Sequence, residues 1–599
     1  MSFSSLNIGM TALQTSQLAL NTTGHNVANA ATEGYSRQRV ATEASRPQMR
    51  GYGALGTGVS VKTVEAISDE FLEQQVRTAT SSYGELYAKN NGYSNLEAYF
   101  NELTGSDIST TFGDFWNALE DLNNHVEDLS TRANAASVAQ TFCDTIQAVR
   151  EKIFTYRAQQ NNAITDAVNT VNELTTQIAA YNQAITAAEC GGATGNKAND
   201  LRDQREVLVK KLSEMLDVSV NEEKNGSVVV ALNGRMLVFE DQNFELTTRK
   251  EEEAGMLVDT IIFASDHQKA TIESGTVNGM VEMRDEIALS FQNDLDQFAG
   301  EFLWNFNRAY SQGNGLEAYT QLTADYRIID PMVTLDQLQY EFKPVDGTFQ
   351  IKDGSFEITV YDTESGTEKH LSIDIDLTNS NPEKRTILYS TDAVEVSPGV
   401  WKYEQPENSL VRKIQDALDS VAEGTFKVSI DQMNRISIAS NSAETRFAFG
   451  EDSSGVLAAL GLNTFFTGHD AQTINVNENA MENPQFFAAA KSFTVGDQTN
   501  IMALNSLRLS LTMNNGTSSF ESYYQSVVGR LGIESARVEA LYEAQVDIKN
   551  SAENQRESLS GVNLDEEMTK MTQFNTALKA ATQYISVLQE MYDSLLSMV

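Results

Sequence analysis

The last thirty residues of this chain place an apolar side chain at every third or fourth position without a slip: Met571, Phe574, Leu578, Ala581, Ile585, Leu588, Tyr592, Leu595 and Val599. That alternation is the seam of a supercoiled helix. Phe3, Leu6, Met10, Leu13, Leu20 and Val27 fall on the same grid at the other end, with Gln17 and Gly24 at two seam places. A chain carrying this device at both ends is expected to associate through its termini. Burying a large apolar side chain yields roughly 1.5 to 3 kcal/mol, so one such seam offers on the order of 10 to 25 kcal/mol. Ordering about 30 residues costs roughly 30 to 60 kcal/mol of backbone entropy. The expectation is that both termini are mobile in the free monomer and fold together when neighbouring subunits cover the seam.

The rest of the 599 residues reads as several domains, because one core rarely serves so long a chain. A formal charge of −40 argues against nucleic-acid backbones and anionic membranes as partners. The start, MSFSSLNIGM, has neither a basic region nor a continuous apolar one, and no run approaches a membrane span. Cys143 and Cys190 lack a CxxC partner and a nearby histidine, so free thiols are expected.

Helical spacing dominates residues 64 to 215, for example Val168, Val171, Leu174, Ile178 and Ile185, with a break at Gly191, Gly192 and Gly195 before a second helix through Leu208, Leu212 and Leu216. The period then switches to strand: Val228 to Val230, the turn Asn233-Gly234, and Met236 to Phe239 read as a hairpin. Helix returns from about Met280 to Tyr310. Alternation governs residues 315 to 480, as in Phe356, Ile358 and Val360, or Phe426, Val428 and Ile430. Helix resumes near Phe520, and Asn563 is placed to cap the final helix, with Asp565, Glu566 and Glu567 in its first turn.

The fold class expected is α+β and multidomain: terminal coiled-coil helices (1–63 and 561–599), a helical rod-like middle (64–314 and 481–560) with a β-hairpin near 225–275, and a β-rich outer insertion (315–480).

No catalytic, cofactor or metal site is expected. Gly51-Tyr52-Gly53-Ala54-Leu55-Gly56 matches a dinucleotide string, but Val59 to Val64 after it reads as strand, where that chemistry needs a helix N-terminus. The five histidines are scattered, without an HExxH or a triad order. A pair of carboxylates for glycoside hydrolysis would arise by chance among 83 acidic residues.

Residues 26 to 38, NVANAATEGYSRQ, resemble the signature shared by bacterial flagellar rod, hook and hook-associated proteins, carried by Asn26, Asn29, Thr32, Gly34, Tyr35, Ser36 and Arg37. The C-terminal SGVNLDEEM, with Gly561, Val562, Asn563, Leu564, Asp565 and Glu566, resembles the hook-associated branch, as do the NDLRDQR stretch at 199 to 205, Gly496-Asp497 and SSGVLAALGLNTFFTG at 453 to 468. The resemblance implies a non-enzymatic axial protein at the hook–filament junction. It further implies self-association into a ring, hook protein and the next hook-associated junction protein as neighbours, and an export chaperone on the C-terminal helix. Type III secretion and a place in the extracellular flagellum follow. The alternatives are another axial subunit (hook, rod or flagellin-like) or a secreted glycan-binding or glycan-cleaving protein acting through the β insertion.

Overall fold

In the computed structural model, residues 4–50, 53–100, 107–190, 197–397 and 400–597 are described. The seam positions Phe3 and Val599, the expected break at Gly191, Gly192 and Gly195, and Gly51-Tyr52 of the glycine string lie outside them. The helices in chain order are α1 (Ser4–Ala28), α2 (Glu70–Phe100), α3 (Ile108–Asn124), α4 (Leu129–Glu189), α5 (Asn199–Met215), α6 (Thr276–Glu282) and α7 (Ala288–Tyr310). They continue with α8 (Leu410–Asp419), α9 (Val456–Leu460), α10 (Glu478–Glu482), α11 (Thr499–Ser506), α12 (Phe520–Ser560) and α13 (Leu564–Leu596).

Two compact units divide the chain. The first comprises 1–94, 157–287 and 534–599; the second comprises 95–156 and 288–533. This partition cuts through the helical middle expected above and keeps the terminal helices with the neighbouring half of that middle.

In the first unit, α1 is followed by an antiparallel hairpin of strands Gln38–Ala44 and Val59–Ala66, extended by the short pair Gln48–Arg50 and Gly53–Leu55. Gly53–Leu55 of the glycine string is thus itself a strand, and Val59 to Val64 after it is strand, as the sequence indicated. Helical periodicity was expected from residue 64, but strand persists to Ala66 and α2 starts at Glu70. Farther on, α4 and α5 sandwich apolar side chains such as Ile164, Val171, Ile178, Val209 and Leu212 against strands from 218 to 263, forming one buried core. The expected hairpin is present: strands Val228–Leu232 and Arg235–Phe239 flank Asn233 (φ 45°) and Gly234 (φ 79°), the double positive φ of a tight primed turn.

Three asparagines fasten this sheet region to α4. The Asn172 amide donates to Leu246 O (2.8 Å) while its oxygen accepts from Leu246 N (2.9 Å). Asn182 repeats the two-point grip on Val228 O (2.8 Å) and Val228 N (2.9 Å). Asn161 accepts from Asp259 N (2.7 Å) and donates to the Asp259 carboxylate (2.7 Å). Spacings of eleven and ten residues amount to about three helical turns each, so all three amides meet strands on one face of the helix.

The second unit is built on an aromatic core. Phe112, Phe115, Phe142, Phe298, Phe302, Phe306, Phe465 and Phe466 are buried and mutually packed, many edge to face. Stretch 453–468 supplies the last two, and Asn307 Oδ1 holds it by accepting from Phe465 N (3.1 Å) and Phe466 N (3.0 Å). Strand Gly354–Asp362 lies centrally between Thr367–Ile375 and Thr445–Asp452, and a second sheet joins Gln321–Thr323, Ile436–Ser440 and Phe426–Ile430. The alternation read between 315 and 480 therefore does mark strands. α8 is an addition: alternation hid a helix whose Leu410, Val411, Ile414 and Leu418 are buried, and whose Gln415 grips Phe426 O (3.0 Å) and Val428 N (2.7 Å).

Candidate assembly site at the terminal helices

α1 and α13 pack antiparallel: the Gly9 α-carbon stands so close to α13 that a methyl there would lie 2.8 Å from Ile585 Cγ1, while Asn26 at the other end of α1 meets Glu567. The helices therefore already pair within one chain, an ordering that the expectation of mobile ends did not include. The C-terminal seam faces inward. Ala581 is buried and Met571, Phe574, Leu578, Ile585, Leu588 and Tyr592 are half-buried, whereas intervening positions are mostly exposed. Leu595 instead continues a second stripe, Tyr584, Val587 and Met591, that is open to solvent.

On α1 the covered face lies one residue away from the expected grid. Gly9, Ala19, Thr22, Thr23 and Asn26 are buried, Leu6, Leu13, Leu20 and Val27 are half-buried, and Met10 is exposed. Polar residues can take the inside because their groups are satisfied there: Thr22 and Thr23 hydroxyls donate to Leu18 O (3.0 Å) and Ala19 O (2.9 Å).

The root of the two helices is a polar knot joining three segments far apart in sequence. Asn26 makes four bonds: its amide donates to Gln38 O (2.9 Å) and Glu567 Oε2 (2.8 Å), and its oxygen accepts from Tyr35 OH (2.8 Å) and Gln38 N (3.0 Å). Tyr35 OH in turn meets His25 Nδ1 at 3.0 Å. Arg37 N donates to Ser560 O (2.8 Å), and the Arg37 guanidinium pairs with Glu566 (2.9 Å). From α5, Asp203 accepts from Ser36 N (2.9 Å), Asp200 accepts from Gln38 Nε2 (2.8 Å), and Asn199 donates to Val64 O (3.1 Å). Gly34 (φ 76°) passes Val207 where a methyl would come within 2.3 Å of Cγ2, so both backbone sign and space demand glycine. Asn29 and Thr32 close the turn after α1, Thr32 Oγ1 donating to Asn29 Oδ1 (3.2 Å). Asn563 caps α13, accepting from Asp565 N (3.0 Å) and Glu566 N (3.3 Å). Gly561 is fitted against Glu557 O, Val562 is half-buried, and Leu564 and Asp565 are exposed.

Glu567 is the residue whose role sequence reasoning missed. Read as a dipole-compensating acid, it is 1% exposed and turned inward, held by Asn26 and by Lys570 Nζ (2.7 Å). Its spacing from Asn563 carried no signal of that inward turn.

Burial pushes the Asp203 carboxyl up to about 6, despite the hydrogen bonds from Ser36 that favour its anion. Burial likewise raises Glu73, with Glu206 adding to it, to about 6. Between pH 4 and 6 the folded state then keeps protons that the unfolded chain has released, so stability declines as pH rises through that window. Asp203→Asn is expected to remove part of this slope, on the order of 1 kcal/mol after solvent screening, and to make the variant the more stable protein at pH 7. Thermal melts of both proteins at pH 4.5 and 7 check this; parallel shifts would show that Asp203 does not titrate there.

Three family models meet on this chain: the flagellar basal body rod protein over residues 6–35, the helical domain of flagellar hook-associated protein FlgK over 93–322, and the flagellar basal body rod FlgEFG protein C-terminal region over 554–598. Curated relatives span its whole length: flagellar hook-associated protein 1 of Bacillus subtilis strain 168 is 25% identical, covering 99% of this chain and 98% of the relative. Over its whole length the chain is similar to flagellar hook-associated protein 1. Its relative from Escherichia coli K12 is 23% identical, with 99% of each chain covered. The solved flagellar hook junction protein FlgK from Burkholderia pseudomallei aligns with a TM-score of 0.48 at 17% identity, covering 81% of this chain and all of that one.

A member of this family is a structural, axial protein of the extracellular bacterial flagellum that associates with its own kind and with other axial proteins. The two rod-type models fall on α1 and α13, the paired terminal helices, and the NDLRDQR stretch of α5 completes the knot between them. Among the described residues no helix is long and apolar enough to cross a membrane, and no three metal-ligating side chains cluster.

Proposed function

We propose that this protein is the adaptor between hook and filament, and that copies of it form a ring by packing α1 and α13 of many subunits into an inner layer. The observation carrying this reading is the apolar surface of α13: α1 half-covers its seam, and the stripe Tyr584, Val587, Met591 and Leu595 stays open beside it. Each buried side chain of that stripe would add roughly 1.5 to 3 kcal/mol on assembly. Axial neighbours would be hook protein on one side and the next hook-associated junction protein on the other. The three-layer division (1–63 with 561–599 innermost, 64–314 with 481–560 next, 315–480 outermost) is the radial order we assign to such a ring.

The same open stripe supports two further parts of the proposal. Export proceeds through the flagellar type III apparatus with the ends unfolded, and a cytoplasmic chaperone holds the C-terminal helix until then, since exposed apolar stripes associate prematurely. The alternative readings, another axial subunit or a glycan-active protein, have no specific observation in their favour.

A strain whose copy ends at residue 570 tests the function. Hooks without filaments, with filament protein released into the medium, are expected. Normal filaments would reject both the junction role and the need for the seam.

A further inference from the structure

The hairpin arm after α1 differs from the rest of this acidic chain. Residues 38 to 66 contain Arg39, Arg46, Arg50 and Lys62 against Glu43 and Glu65, an excess of basic groups within a chain of net charge −40. The arm starts at the polar knot, where Gln38 meets Asn26, and runs back along α1, with Gly58 seated against Ile8 and Thr11. Its strands carry the tip on the order of 30 Å from that root. The tip pair Gln48–Arg50 and Gly53–Leu55 buries little: Met49 is 79% exposed on one face, and Leu55, which pairs with Gln48, is exposed on the other. A two-stranded ribbon with an apolar end and no third strand is marginal by itself and gains from a surface to lie on.

The same unit offers a surface of the opposite character. α2 and α12 enclose a groove of about 640 Å³, tied at its floor by Gln545 Nε2 donating to Ala79 O (2.9 Å). Phe71 and Ile548 line it while remaining 65% and 55% exposed. Glu70, one turn before Gln74, and Glu543 and Asp547, two turns and one turn before Ser551, are exposed carboxylates on the two helices that form the groove.

We infer that the basic arm of one copy docks, tip first, into the α2–α12 groove of a second copy. Met49 on one face of the tip covers Ile548 of α12, Leu55 on the other face covers Phe71 of α2, and Arg46 and Lys62 face Glu70, Glu543 and Asp547. Arm and groove are different surfaces, so the contact is head-to-tail, which generates a ring or a helical array rather than a closed dimer. The inference rests on the proposed self-association and adds which surfaces outside the terminal helices perform it.

The test uses the full chain with Cys190→Ser, leaving the buried Cys143, and adds Met49→Cys with Ile548→Cys. Hook–junction particles are isolated from cells, oxidised and resolved without reductant. A ladder of dimers and higher species that depletes the monomer is expected, absent when Met49→Cys is combined with Leu257→Cys instead. Arg46→Glu should abolish the ladder and Asp547→Arg should restore it in that background. Protein incorporated into particles but uncrosslinked, or crosslinked only within one chain, overturns the docking while leaving the junction role intact. Hooks lacking the protein altogether overturn both.

Discussion

Replacing Asn26 with alanine is expected to destabilise the pairing of α1 with α13 by about 3 to 5 kcal/mol. The substitution removes four hydrogen bonds at once and leaves the Glu567 carboxylate, 1% exposed, with Lys570 as its remaining partner. Both Gln38 peptide groups lose their partner as well, each a polar group whose desolvation is no longer compensated, while Tyr35 OH keeps His25 Nδ1. Amide exchange reads the effect directly: α1 and the first turns of α13 should lose protection while the aromatic core of the second unit keeps it. A double variant, Asn26→Leu with Glu567→Met, removes the charge together with its partner and should recover part of the loss, because two apolar groups of similar volume leave no buried ion. Unchanged protection in Asn26→Ala would mean that water or a rotated Lys570 replaces the amide without loss.

A comparable effect is expected at Asn182, which is also 1% exposed. Its amide donates to Val228 O and Glu240 O at 2.8 Å each, and its oxygen accepts from Val228 N and from Arg205 Nη1 at 2.9 Å each. Arg205 is itself buried, with Gly226 O (2.7 Å) as another acceptor and Glu222 at 3.8 Å. Asn182→Ala therefore takes one acceptor from a buried guanidinium that keeps Gly226 O, leaves three peptide groups unpaired, and should cost about 3 to 5 kcal/mol of the first unit's stability. Urea titration followed by proteolysis at the 218–243 hairpin measures it. Asn182→Asp keeps an acceptor for Arg205 and Val228 N but loses both donors, so it should fall between wild type and alanine. Equal midpoints for all three proteins would contradict the assignment.

Hydrophobic periodicity made part of this legible. The C-terminal three-four alternation gave the buried side of α13, because apolar residues there occupy one face without polar competitors. The Asn233-Gly234 turn was readable because its double positive φ suits few residue pairs. The same reading erred by one position on α1, where threonine hydroxyls bond back to the helix and Asn26 is fully satisfied, so the inside is partly polar and apolar counting points past it. The open stripe from Tyr584 to Leu595 was hidden because it runs beside the seam at the same spacing. α8 escaped notice within a region of alternating residues, being short enough for either period to fit. The knot needed three segments, 26–38, 199–206 and 556–567, to be brought together. Resemblance marked stretches in all three, yet nothing local tells that Asp203 meets Ser36 or that Glu567 turns inward.

One asparagine of α4 has a meaning beyond fastening. At Leu246, in a strand paired on one side only, the Asn172 side-chain amide stands where the peptide of an added strand would bond, presenting one donor and one acceptor to the backbone pair. Strand backbone left open recruits other strands indiscriminately. A molecule proposed to join its own copies through helices has every reason to keep its sheet edges from joining in, and this amide is a decoy: it imitates a neighbour so that no real one can take its place.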